Sequence, residues 1–304
     1  RLANILYYTY RNNLDSSKDQ LIFEGTGTLT VADADGGFKI TTLTSDNQKR
    51  FNDTGNCGNF WCSAIGGNDD NEYEDVKGLV FNSGLVFAGT TKGDQCTAIG
   101  AGGNGHAWVT INGGTVIAVS TTTGTAIGGG IGFWGGGGDG NVTINGGNVY
   151  AYNFHNRWDV PNAAIGGAST NGTDDLDPNR HGIGGKGTVT INGGNIYAQS
   201  SLGSAIGGGS SGKFEGGEGV ITITGGHVIA KSMPYKTPGD PDYLPAGNGI
   251  GGGTANARFN KYSEVNADGG KATVTISGNP VILTGSIGGG STGSTTGGKI
   301  GTAH

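Results

Sequence analysis

The chain has 304 residues, 66 of them glycine, and a formal charge of −6 from 18 Lys and Arg against 24 Asp and Glu. Glycine at about three times its usual frequency excludes a helical protein, since each Gly in a helix interior costs about 1 kcal/mol relative to Ala. Seven prolines without a triplet register exclude collagen, and a small net charge with regular Val, Ile and Thr runs excludes a disordered chain.

In chain order, the first strand-like run covers residues 21–31 and ends in Leu29-Thr30-Val31, a degenerate copy of a motif that is clearer further on. Two blocks then alternate. One is Ala64-Ile65-Gly66-Gly67, repeated at Ala98, Ala126, Ala164 and Ala205, and as Gly249-Ile250-Gly251 and Ser286-Ile287-Gly288. The other is Val109-Thr110-Ile111-Asn112-Gly113-Gly114, repeated at Val142, Val189, Ile221 and Val274, with a degenerate copy at Leu79. A third element follows each Gly pair: Val86-Phe87-Ala88, Val116-Ile117-Ala118, Val149-Tyr150-Ala151, Ile196-Tyr197-Ala198, Val228-Ile229-Ala230 and Val281-Ile282-Leu283.

Successive Ile positions of the first block lie 34, 28, 38, 41, 44 and 37 residues apart, which is a constant core with loops of variable length. Three short strands per turn, each with period-2 apolar residues and a Gly-rich corner, predict an all-β chain folded as a parallel β-helix of about seven coils. One domain is expected over 1–304, with irregular entry coils over 1–60 and regular repeats over 61–304. Alternation sends Val and Ile of the second block inward and Thr110, Thr143, Thr190, Thr222 and Thr275 outward. In the third element it leaves Phe87, Ile117, Tyr150, Tyr197, Ile229 and Ile282 as an outward stripe. Asn82, Asn112, Asn145 and Asn192 share one corner, where Asn tolerates left-handed backbone and its amides can bond along a stacked ladder.

Several motifs fail on their chemistry. Residues 100–105 match a dinucleotide fingerprint but no helix pattern follows them, and residues 207–213 have P-loop spacing but Phe214 stands where Ser or Thr is required. Residues 134–139 resemble one calcium-binding nonapeptide but lack its leading Gly and occur once. Trp108, Asn141 and Val220 interrupt the regular Thr rank that an ice-binding face would need. Basic residues do not cluster, so nucleic acid is not an expected partner. No apolar stretch has the length of a membrane span.

Acidic residues gather in two loops, Asp69, Asp70 and Glu72 in one and Asp174, Asp175 and Asp177 in the other. Either group could hold Ca²⁺, the sole cofactor the sequence suggests, and the competing reading is a solvated acidic loop. Two loops are aromatic: Tyr152, Phe154, His155, Arg157 and Trp158 in the first, Tyr235 and Tyr243 in the second. Both follow a third strand, so they leave the same edge, where they could stack on a sugar ring or fold back over Tyr150 and Tyr197. Cys62 and Cys96 each stand three residues before an Ile of the first block, which places them in adjacent coils within disulfide range. Cys57 with Cys62 is the competing pair, and three reduced thiols the third alternative. Either bridge implies an oxidising compartment.

The alternation of Ala-Ile-Gly-Gly, Val-Thr-Ile-Asn-Gly-Gly and Val-x-Ala resembles the glycine-rich repeat region of bacterial cell-surface and secreted proteins, often described as adhesin-like or carbohydrate-binding. The resemblance covers residues from about Leu21 onward and implies a right-handed coil on an exported protein. It supplies no ligand and no functional residue, because the shared motifs are core and corner positions. The expected function is therefore extracellular, non-enzymatic attachment at the cell surface, through loops that meet a glycan or a partner surface. The first alternative is a subunit that self-associates through its solenoid ends into a filament. The second is a polysaccharide lyase or hydrolase, whose carboxylates would have to stand on outward strand positions that here carry Thr or apolar residues. With Arg1 in place of Met and no signal peptide, the chain is expected to be a mature or excised part of a longer protein.

Overall fold

A computed structural model describes residues 5–6, 20–32, 63–67, 75–90, 96–132, 135–154, 161–170, 182–212, 214–234, 246–255 and 268–290. Among these residues all regular structure is β. The first coils are β1 (Ile5–Leu6), β2 (Leu21–Phe23) and β3 (Thr28–Ala32); β4 (Ser63–Gly66), β5 (Val76–Phe81) and β6 (Leu85–Thr90); and β7 (Thr97–Gly100), β8 (Ala107–Ile111) and β9 (Thr115–Ser120). Next come β10 (Ile127–Gly128), β11 (Gly140–Ile144) and β12 (Asn148–Asn153), then β13 (Ile165–Gly166), β14 (Gly187–Ile191) and β15 (Asn195–Ser201). The series closes with β16 (Ile206–Gly207), β17 (Gly219–Ile223) and β18 (His227–Met233), then β19 (Ile250–Gly251), β20 (Ala272–Ile276) and β21 (Val281–Thr284), and β22 (Ile287–Gly288) opens a further turn.

Every third strand pairs in parallel, which builds one eight-stranded and two seven-stranded sheets. This is a parallel β-helix of seven coils, as the repeat predicts. A middle coil sends the Ile of its first strand, two residues of its second and two of its third into one core, for example Ile127, Val142, Ile144, Val149 and Ala151. Register is kept from coil to coil: Val109, Val142, Val189, Ile221 and Val274 form one buried column.

Two strand assignments differ from the sequence reading. Leu29 pairs with Val86, so residues 28–32 are a third strand, and the second strand of that coil is Leu21-Ile22-Phe23 against Leu79-Val80-Phe81. Both segments alternate apolar residues, and only their stacking partners tell them apart. In the last coil Ile282 pairs with the buried Val228, while Leu283 pairs with Ile229 and is 60% exposed. Leu283, not Ile282, therefore continues the outward stripe.

The asparagine corner is a hydrogen-bonded ladder. Asn112, Asn145 and Asn192 each donate from Nδ2 to Oδ1 of the Asn one coil earlier, at 2.8, 2.7 and 2.8 Å. Thr224 enters at one end, its hydroxyl donating to Asn192 Oδ1 at 2.9 Å, and Asn82 donates to Glu24 Oε2 at 3.4 Å at the other. Left-handed backbone is taken not by these Asn residues but by the second Gly of each pair, such as Gly114 at φ +77° and Gly147 at φ +84°.

Most of the remaining glycines serve close approach. After the first strand the backbone leaves the core and returns to the second strand as two legs pressed together, backbone against backbone at the glycines, with the Thr170 and Ser211 hydroxyls bonding across to the Gly135 and Gly182 carbonyls. A zigzag of hydrogen bonds joins the legs across coils: Gly130 donates to Gly105, Gly138 to Gly130, Ala168 to Gly138, Gly185 to Ala168, and so on through Gly209, Gly217, Gly253 and Gly270 to Gly290, at 2.7–3.0 Å. A Cβ on Gly129 would stand 2.0 Å from the Gly138 carbonyl oxygen, and one on Gly138 1.9 Å from that of Gly105.

The insertions fall at two places in the sequence of the repeat. Residues 68–74, 171–181 and 256–267 lie between a first and a second strand, and residues 91–95, 155–160 and 235–245 between a third strand and the next coil. The expected end-to-end stacking rests partly on residues 1–4 and 291–304, which lie outside the described residues. Gly138→Ala is expected to lower the unfolding free energy by more than about 3 kcal/mol, because backbone on both sides must move. Gly27→Ala, which meets nothing within 4 Å, should change it by less than about 0.5 kcal/mol. Urea denaturation followed by circular dichroism compares the two.

Candidate functional site

In the third sheet, formed by β3, β6, β9, β12, β15, β18 and β21, alternate residues face outward. From β12 these are Asn148, Tyr150 and Tyr152, with Phe154 just beyond the strand end. From β15 they are Asn195, Tyr197 and Gln199, and from β18 His227, Ile229, Lys231 and Met233. The in-register pairs Tyr150↔Tyr197 and Tyr152↔Gln199 bring these side chains onto one patch.

The rings are in contact. Tyr152 stacks on Phe154 with centroids 5.2 Å apart and meets Tyr197 at 5.4 Å with a 45° tilt. Lys231 Nζ stands 5.7 Å from the Tyr197 ring centre, within cation–π range, and the Tyr197 hydroxyl donates to Gln199 Oε1 at 3.1 Å. Tyr150 and Phe154 are 36% and 40% exposed, so the patch is a platform open to solvent. Partial burial, and secondarily the neighbouring Tyr197 and Tyr150, raise the pKa of Tyr152 above 10.0.

Two of the loop aromatics read from the sequence lie among the described residues. Tyr152 and Phe154 are brought together, but Tyr152 is a strand residue rather than a loop residue. It also packs on the Tyr197 ring, the contact expected of an aromatic that covers the stripe. His155, Arg157, Trp158, Tyr235 and Tyr243 lie outside the described residues, on insertions that begin after Phe154 and Pro234. The acidic residues Asp69, Asp70, Glu72, Asp174, Asp175 and Asp177 also lie outside them, as does Cys62. Cys96 is fully buried just before β7. Among the described residues no group of three or more His, Cys, Asp or Glu side chains could hold a metal ion.

The sequence alone does not find Lys231 and Gln199, because no repeat motif contains them; the signal is their place two residues beyond the aromatic or Ile position of the third strand. It also misses a polar column at the entry to the second sheet. There the His106 N–H donates to Asp75 Oδ1 at 3.3 Å, the Asp139 N–H to His106 Nδ1 at 2.9 Å, and the Lys186 N–H to Asp139 Oδ1 at 2.7 Å. Lys186 Nζ then meets Glu218 at 2.9 Å. Each acceptor caps the backbone of the next coil. His106 Nδ1 also lies 3.5 Å from Asp139 Oδ2, so backbone and side-chain contacts together tie successive coils along this column.

A family model described as a beta helix repeat matches residues 142–169, 189–210 and 221–254, the coils that carry the platform. No curated protein and no solved structure matches the chain. Stacked parallel strands and this match together define a beta-helix repeat region, an architecture that serves both enzymes and non-enzymes.

The platform predicts its own titration. Because the folded pKa of Tyr152 is raised, its contribution to stability is complete below about pH 10 and is lost as the pH rises through the folded value. Tyr152→Phe should remove a component that ionises above about pH 10 from a phenolate absorbance titration. It should also flatten the loss of stability above about pH 10.

Proposed function

We propose that this chain is an extracellular, non-enzymatic attachment module that binds glycans on the outward face of its third sheet. The observation that carries the reading is the solvent-open cluster of Tyr150, Tyr152, Phe154 and Tyr197 on a rigid sheet, bordered by amides of Asn148, Asn195 and Gln199. Aromatic faces take the apolar face of a pyranose, and side-chain amides take its hydroxyls. A sheet held by seven coils pre-organises the rings and lowers the entropy lost on binding.

The non-enzymatic reading draws on the strands themselves. Among the described strands none carries Asp or Glu, the residues that glycoside hydrolysis requires as a pair. The adhesin-like resemblance of the repeat motifs supports a surface location. Tyr197→Ala and Phe154→Ala are each expected to weaken glycan binding about tenfold on an array and in calorimetry, with the circular dichroism spectrum unchanged. Trp158→Ala reports whether the neighbouring insertion shares the site. A wild-type protein that binds no glycan overturns the reading.

An exported protein would also use the cysteine pair. Ser63 pairs with Thr97 in the β4–β7 register, and in the sequence Cys62 and Cys96 each directly precede one member of that pair. Peptide mapping without reductant is expected to recover a Cys62–Cys96 crosslink. A Cys57–Cys62 crosslink, or three alkylatable thiols, removes it.

A further inference from the structure

We propose that the saccharide taken by the third sheet is acidic, with Lys231 as the residue that selects its carboxylate; this rests on the glycan reading and names its ligand class. The argument is one of charge. The chain carries −6 overall, yet none of the described strands of the third sheet contains Asp or Glu. Their charged side chain is Lys231, exposed at the edge of the platform. Of the other described lysines, Lys77 meets Asp75 at 3.5 Å and Lys186 meets Glu218 at 2.9 Å, while Lys271 precedes β20 of the second sheet, away from the platform strands. Among the described residues Lys231 has no carboxylate partner. Its contact is the Tyr197 ring, which holds the ammonium without neutralising it.

Position adds direction. Tyr152, Tyr197 and Lys231 stand on three successive strands, β12, β15 and β18, with 5.4 Å between the rings and 5.7 Å from the second ring to the ammonium. A saccharide chain laid along the solenoid axis stacks on Tyr152 and Tyr197 and brings the carboxylate of a uronic acid unit to Lys231 Nζ. There it accepts a charge-assisted hydrogen bond. The Gln199 amide, next to Lys231 in the same outward column, donates to a hydroxyl of the adjoining unit. Neutral saccharides retain the stacking and lose the ammonium contact.

The test is calorimetry with a galacturonic acid oligomer and a neutral galactose oligomer of the same length and linkage, using the whole chain. The acidic oligomer is expected to bind about tenfold more tightly at low salt, and added salt should narrow the difference. Lys231→Gln should abolish that difference, so that the two oligomers bind alike; Tyr152→Ala should weaken both ligands. Equal affinity for the two oligomers, or an acidic preference that survives Lys231→Gln, overturns the inference while leaving the glycan reading in place. A sulfated galactose oligomer that outcompetes the uronate in a Lys231-dependent way overturns the choice of carboxylate. Binding of no saccharide at all overturns the glycan reading instead.

Discussion

Everything in this molecule depends on how closely two backbone legs approach each other beside the core. Between Gly129 and Gly138, and at the equivalent positions of later coils, carbonyl oxygens occupy the space that a Cβ would need. Amide hydrogen bonds running from leg to leg and coil to coil replace side-chain packing there. The arrangement explains the composition better than turns do. A parallel β-helix with three corners needs a few glycines per coil; a wall made of backbone alone needs many more. It also explains how two-residue first strands persist, since each is continued by a hydrogen-bonded leg that holds it in register.

That rigidity separates two jobs along the chain. Val, Ile and Ala columns and the glycine wall repeat with little change, while insertions enter between strands; the register is unbroken from β8 through β20 and shifts once, between Val76 and Leu79 of β5. The outward residues of the third sheet are free to vary because neither core nor wall uses them. Tyr150, Tyr152, Tyr197, Gln199 and Lys231 share only their place in the pleat. Their mutual geometry is inherited from the stacking.

The residues that repeat were legible in the sequence, and those that do not repeat were legible only through register. Val-Thr-Ile and Ala-Ile-Gly-Gly announced strands, faces and coil number, because a period-2 apolar pattern in a glycine-rich chain has few other solutions. Leu29-Thr30-Val31 was ambiguous, since second and third strands both alternate and only stacking partners distinguish them. Leu283 took the outward place of Ile282 because the last coil's third strand is shifted by one residue relative to its motif. The wall was hidden for a different reason: positive φ and steric exclusion both select glycine, and sequence does not say which is at work. Lys231 lies 79 residues from Tyr152 in the chain, yet its strand lies two coils away on the same sheet.

The asparagine ladder of the second corner behaves like a linear polymer with defined chain terminators. Each Asn is at once a donor to the preceding coil and an acceptor for the next, so the unit is self-propagating and any number of such coils can be inserted between two others. Glu24 is an acceptor only, and Thr224 enters as a donor through its hydroxyl. The series therefore has a direction and two distinct ends. A gene duplication that copies one internal coil preserves every bond of the ladder, whereas one that copies the coil bearing Glu24 into the interior places a carboxylate with no proton to donate in the middle of the row. Length can thus grow by internal copying, with the ends kept as they are.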